Sequence, residues 1–84
     1  MVSIDYKTFY ACNNLTNVTI SNSIKAIDEC AFYYCPNLTS INFNGTTAEW
    51  NAINKNYNWI IRRNYAFPDY PDTKIICSDG TVAL

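Results

Sequence analysis

The chain contains no histidine. That absence removes Ser-His-Asp and Cys-His catalysis, and every histidine-ligated metal site, from consideration. Charge is scarce as well: charged residues make up 15% of the chain, against about 25% in ordinary globular proteins. Six basic and seven acidic side chains leave a net charge of −1. A surface without clustered positive charge suits neither nucleic acid nor an anionic membrane. Long hydrophobic runs are missing too. Met1 leads straight into Val2-Ser3-Ile4-Asp5, with no basic n-region and no apolar h-region, so neither a secretory signal nor a membrane-spanning segment is legible. What remains is 84 residues that are 49% hydrophobic, enough for one small domain and too apolar for a disordered tail. Twelve asparagines, eight threonines and seven tyrosines take the place of the missing charges.

The chain repeats itself. Ile4, Asp5, Phe9, Tyr10, Cys12, Asn14, Leu15 and Thr16 recur as Ile27, Asp28, Phe32, Tyr33, Cys35, Asn37, Leu38 and Thr39, always 23 residues later. Eight of seventeen aligned positions are identical, and Val18/Ile41 and Ile20/Phe43 are conservative apolar exchanges. A period of 23 falls among the leucine-rich repeats. Within each period, Leu15-x-x-Val18-x-Ile20 and Leu38-x-x-Ile41-x-Phe43 alternate as a short strand with its apolar side inward. Asp5 and Asp28 stand where a helix N-cap belongs, which predicts a turn or two of α or 3₁₀ helix on the convex side. Stacked units add one parallel strand each, about 4.8 Å apart.

The pattern Ile-x-x-x-Ala-Phe-x-x-Cys-x-x-Leu-Thr-x-Ile, from Ile27 to Ile41, resembles the BspA-like leucine-rich repeats of bacterial surface proteins. The first copy differs by Thr8 in place of Ala31. Asn44 to Ile53, followed by Cys77-Ser78-Asp79-Gly80-Thr81-Val82, is similar to the C-terminal end unit of such arrays. The resemblance implies an α/β leucine-rich repeat solenoid with short parallel strands, short convex helices and a C-terminal helix and hairpin cap. One domain, 1–84, is expected, with repeats at about 4–26 and 27–45 and a cap over 46–84. The resemblance further implies an exported protein at the cell surface or outside the cell, this chain being the C-terminal part of a longer one.

The end unit also makes physical sense. Thr46 with Glu49 three residues on forms a capping box, followed by Trp50 and Ile53 on one helical face, with Tyr57 beside them, to cover Leu38, Ile41 and Phe43. Asn58-Trp59-Ile60-Ile61 offers another apolar strip, Pro68 and Pro71 set a loop over 64–72, and 75–84 reads as a hairpin turning at Ser78-Asp79-Gly80. The other end has no cover. Only two recognisable repeats precede the cap, where solenoids usually need three or more. The strand Leu15–Ile20 therefore has a free upstream edge, which predicts self-association through it into a homo-oligomer, or marginal stability.

The chemistry-bearing residues are few. Cys12 and Cys35 are repeat-equivalent, either small buried apolar residues or a pair within disulfide reach; Cys30 and Cys77 have no counterpart, and duplicated Cys-x₂₋₄-Cys pairs for zinc are missing. Asp69 and Asp72 flank Tyr70-Pro71 without the oxygen-rich spacing of a calcium loop or a catalytic carboxylate pair. Asn14, Asn17, Asn37 and Asn44 head Asn-x-Thr sequons at repeat positions, which turn roles explain. Tyr10 and Tyr33 are repeat-equivalent with Tyr34 beside them, and Tyr57, Tyr65 and Tyr70 decorate the loop after the repeats; such aromatics either pack on the convex surface or stack on sugars and anchor partners. Thr16, Asn17, Thr19, Thr39, Ser40 and Asn42 alternate outward from the strands, onto the concave face that solenoids use for recognition. The expected function is non-enzymatic, with no cofactor and no metal: a recognition or adhesion module binding a protein or glycan there, or else an architectural cap or spacer.

Overall fold

The 23-residue spacing of the sequence becomes hydrogen-bond register in the computed structural model, which describes residues 3–61 and 65–84. Strand β1 (Ser3–Ile4) pairs in parallel with β3 (Ala26–Ile27), setting Ile4 beside Ile27. Strand β2 (Asn17–Ser21) pairs in parallel with β4 (Ser40–Asn44), setting Val18 beside Ile41 and Ile20 beside Phe43. Like residues thus stack on like, and each coil buries the inward face of its neighbour. A third coil follows. Strand β5 (Asn54–Lys55) extends the first sheet beside β3, and β6 (Lys74–Cys77) extends the second beside β4. The segment read as an end unit therefore also continues both sheets. Closure of the larger sheet falls to β7 (Gly80–Ala83), which pairs antiparallel with β6 across a turn at Ser78-Asp79.

The expected convex helices are absent. Residues 5–14 and 28–37 form successive turns instead, and the one helix among the described residues is α1 (Thr47–Ala52). Lys7 and Ala11, and their repeat partners Cys30 and Tyr34, all sit at φ near +57° to +59°. Those left-handed residues stop a right-handed helix from propagating and aim the backbone sideways. Phe9 N–H then donates to Ala31 C=O at 2.8 Å and Ala11 N–H to Tyr33 C=O at 2.8 Å, across coils rather than four residues back. Asp5 caps nothing helical; its carbonyl accepts from Thr8 N–H at 3.2 Å and from Thr8 Oγ1 at 2.8 Å. A non-glycine residue in this region costs about 1–2 kcal/mol. Ala11 is exposed, so Ala11→Gly removes that strain without losing packing. It is expected to raise the thermal midpoint by about 4–8 °C, corresponding to about 1 kcal/mol, in a calorimetric scan.

The core runs along the coil axis and thins toward the first coil. Phe32, Leu38 and Ile41 are fully buried, while their equivalents Phe9, Leu15 and Val18 are only half-buried. Phe9 stacks on Phe32 with ring centroids 5.0 Å apart, and Phe32 meets Trp59 edge-on at 6.0 Å. Trp59 in turn meets Trp50 at 5.8 Å, so an aromatic column links all three coils. Trp59, Ile60 and Ile61 are buried as the expected apolar strip, and Phe32 forms a parallel bridge to Ile60.

The capping box is built as read: Thr46 Oγ1 accepts from Glu49 N–H at 3.1 Å and Glu49 Oε1 accepts from Thr46 N–H at 2.9 Å. Asp79 in the hairpin turn accepts from Thr47 N–H at 2.8 Å, tying helix to hairpin. Lys55 Nζ closes the other helix end on the carbonyls of Trp50 and Ile53, at 2.8 and 3.2 Å. Burial pushes that ammonium's pKa down. Gly45 is required by close approach, because a Cβ there would lie 2.6 Å from the Phe43 ring. Trp50 and Ile53 are buried as expected, but Tyr57 is 81% exposed and covers nothing. Of the Pro68–Pro71 loop, residues 65–72 carry neither helix nor strand; Asn64, with Arg62 and Arg63, lies outside the described residues.

Candidate functional site

Strand alternation and register together build the outward face of the larger sheet. Inward go Val18, Ile41 and Ile75, and then Ile20, Phe43 and Cys77. Outward, Asn17, Ser40, Lys74 and Ala83 stand side by side as one cross-strand row. Thr19, Asn42, Ile76 and Thr81 form the next. Four strands span about 14 Å at the usual strand spacing. The only charged side chain in the two rows is that of Lys74, and Ile76 is 43% exposed among polar neighbours. The patch therefore pairs hydroxyls and amides with one apolar contact and almost no field.

The six outward residues read from the sequence divide in two. Asn17, Thr19, Ser40 and Asn42 lie in the rows. Thr16 and Thr39 sit just before the strands and fasten coils: Thr39 N–H and Thr39 Oγ1 both donate to the Thr16 carbonyl, at 2.8 and 3.0 Å. The hydroxyl of buried Thr73 does the same for Leu38, at 2.6 Å. By contrast, the side chains of Thr19, Ser40 and Asn42 donate to or accept from no described residue. Lys74, Ile76 and Thr81 complete the face and were not anticipated. Their signal was present, because Ile75 and Cys77 repeat the inward alternation of Ile41 and Phe43 one strand further on.

Tyr57 and Tyr65 stand exposed, whereas the tyrosines of the first two arcs pack on one another. Tyr10 stacks on Tyr33 with centroids 6.4 Å apart, Tyr34 packs edge-on against both, and Lys7 Nζ lies 4.5 Å from the Tyr10 ring centre. Tyr10 thus packs against other side chains of the protein while keeping 36% of its surface exposed. The four cysteines are free thiols; Cys35 Sγ donates to the Phe9 carbonyl at 3.1 Å, and burial pushes the Cys35 and Cys77 thiols up from their ordinary range. Among the described residues no three cysteine or acidic side chains converge as metal ligands.

A family model, the BspA type leucine rich repeat region (6 copies), matches residues 1–74. The chain belongs to the BspA-type leucine-rich repeat family. No curated protein and no solved structure matches it. The family is one of repeat proteins typical of exported or surface proteins and generally without enzymatic activity. No helix among the described residues is long and apolar enough to cross a membrane.

Proposed function

We propose that this chain is a recognition module of an exported surface protein, binding a neutral glycan or a polar protein surface through the outward face of the β2-β4-β6-β7 sheet. One observation carries the reading. Thr19, Ser40 and Asn42 present hydrogen-bonding groups in register that the protein does not use internally. An unused neutral row, flanked by Ile76, matches the chemistry of a sugar or peptide, whose hydroxyls or amides need partners and whose apolar patch needs a contact. The Thr39 hydroxyl, committed to the Thr16 carbonyl one coil away, sets the orientation of the row, while the exposed Thr16 hydroxyl stands at its margin.

The double variant Thr19→Glu, Asn42→Lys places bulky charges in the row while leaving the inward face intact. Stability should change by less than about 1 kcal/mol. Binding on a printed array of neutral and sialylated oligosaccharides and of extracellular proteins is expected to fall at least tenfold for whichever spots the wild-type chain occupies. Equal binding by the variant, or no binding by the wild type, would instead support a spacer that closes an array and holds no ligand of its own.

A further inference from the structure

Of the four cysteines, only Cys12 and Cys35 share a place in the repeat, and the coil register sets one above the other. Before them Ile4 pairs with Ile27, and after them Asn17 pairs with Ser40, both at the offset of 23 that separates the two cysteines. The register holds through the arc between. Ala11 N–H donates to the Tyr33 carbonyl at 2.8 Å, and Asn37 Nδ2 to the Asn13 carbonyl at 2.6 Å. Parallel neighbours in register lie about 4.8 Å apart, inside the Cα separation of about 4.4–6.8 Å that a disulfide spans. The side chains converge as well. Cys35 Sγ reaches out of its own coil to donate to the Phe9 carbonyl at 3.1 Å. Burial disfavours its thiolate, while the Cys12 backbone N–H beside the sulfur favours it. Cys12 packs on the same core cluster that buries Cys35. The other two cysteines have no cysteine stacked on them: Cys30 occupies the repeat place of Lys7 and donates its N–H to the Asn58 carbonyl, and Cys77 faces Gly80 across the hairpin.

We propose that Cys12 and Cys35 form a disulfide site, which a small-molecule or protein disulfide oxidises into a covalent staple between the first and second coils. All four cysteines are free thiols in the structure, which is therefore the reduced form. One cysteine thiolate attacks a sulfur of the oxidant and displaces one of its two thiolates, giving a mixed disulfide. The other cysteine's thiolate then attacks the protein sulfur of that mixed disulfide and expels the second. Two protein thiols become one S–S bond, and their two protons and two electrons leave on the two thiols of the reduced oxidant. Little is lost in the exchange. The Cys35 thiol is a weak donor, and the stacked pairs Phe9–Phe32 and Tyr10–Tyr33 already hold the two coils in register on the N-terminal side of the bond. The staple ties residues 23 positions apart, which removes freedom from the unfolded chain. The oxidising setting rests on the export proposed above; the bond itself rests on the register.

The test equilibrates the purified full chain with excess oxidised glutathione, alkylates the remaining thiols in denaturant, and reads intact mass and cross-linked peptides. Two alkylated cysteines are expected, Cys30 and Cys77, with a peptide joining Cys12 to Cys35. The oxidised chain should melt about 10 °C or more above the reduced one. Oxidation in urea supplies the contrast, because an unfolded chain closes its shortest loop first and joins Cys30 to Cys35. The variant Cys30→Ser keeps the peptide assignment unambiguous and should oxidise as the wild type does. Four alkylated cysteines after oxidation of the folded chain would overturn the proposal. So would glutathione adducts without the cross-link, a Cys30–Cys35 bond in the folded chain, or an oxidised form that melts no higher than the reduced one. None of these outcomes turns on export or on ligand binding.

Discussion

Phe32→Ala is expected to cost about 3–5 kcal/mol, and Phe9→Ala about half as much, although the two residues occupy the same place in the repeat. Phe32 has no exposed surface and touches a ring on either side, Phe9 at 5.0 Å and Trp59 at 6.0 Å. Its removal opens a cavity in the middle of the column and leaves two aromatic faces without a partner. Phe9 is half-buried and has a ring on one side only, so truncating it enlarges a hollow that already exists. A domain of this length holds roughly 4–13 kcal/mol in all, so Phe32→Ala takes away much of the margin. Urea titrations of the two variants read the difference directly. Equal losses would mean that burial does not decline toward the first coil.

Trp50→Ala is expected to cost a similar amount, about 3–5 kcal/mol, for a different reason. Trp50 is the one buried side chain of α1 and fills the space between Phe43, at 5.4 Å, and Trp59, at 5.8 Å. Lys55 Nζ sits 4.8 Å from its ring centre. The helix has six residues, too few to persist without that anchor. Losing it should free α1, release the Thr47–Asp79 bond to the hairpin and loosen β7. Thermal unfolding should then show the C-terminal hairpin melting ahead of the first two coils. A variant with an unchanged midpoint would place Trp50 outside the core.

The sequence carries the first two coils openly and hides the third. Ile4 and Ile27, or Leu15 and Leu38, keep one spacing, and that spacing is the strand register. From the second coil to the third it breaks: Lys55 lies 28 residues beyond Ile27 and Ile75 lies 34 beyond Ile41. Helix α1 is inserted at one corner and a longer loop at another, so a fixed period finds nothing there. The convex arcs misled for a reason that also lies in the chain. Asp5 and Asp28 followed by apolar residues three and four apart look like capped helices, and the left-handed turns that replace them use Lys7, Ala11, Cys30 and Tyr34 rather than glycine. Nothing in those side chains marks the conformation; the cross-coil hydrogen bonds impose it.

The candidate site was legible in the same uneven way. Alternation alone places Asn17, Thr19, Ser40 and Asn42 on the outward face. It cannot tell that the Thr39 hydroxyl is spent on Thr16, since that depends on which carbonyl lies one coil away. Lys74, Ile76 and Thr81 belong to the face because β6 and β7 join the sheet, a pairing that depends on the third coil closing after its irregular loop.

Amide hydrogen exchange of the full chain, read residue by residue, tests the account most directly. Three stacked coils with a directional ladder predict slow exchange at Phe32, Thr39 and Lys74, whose N–H groups bond across coils, and at the inward positions of β4. Phe9 and Ala11 should be protected as cross-coil donors. Protection of Phe9 through Cys12 in a four-residue helical pattern, together with fast exchange at Phe32, Thr39 and Lys74, would contradict both the turn-built arcs and the stacked coils.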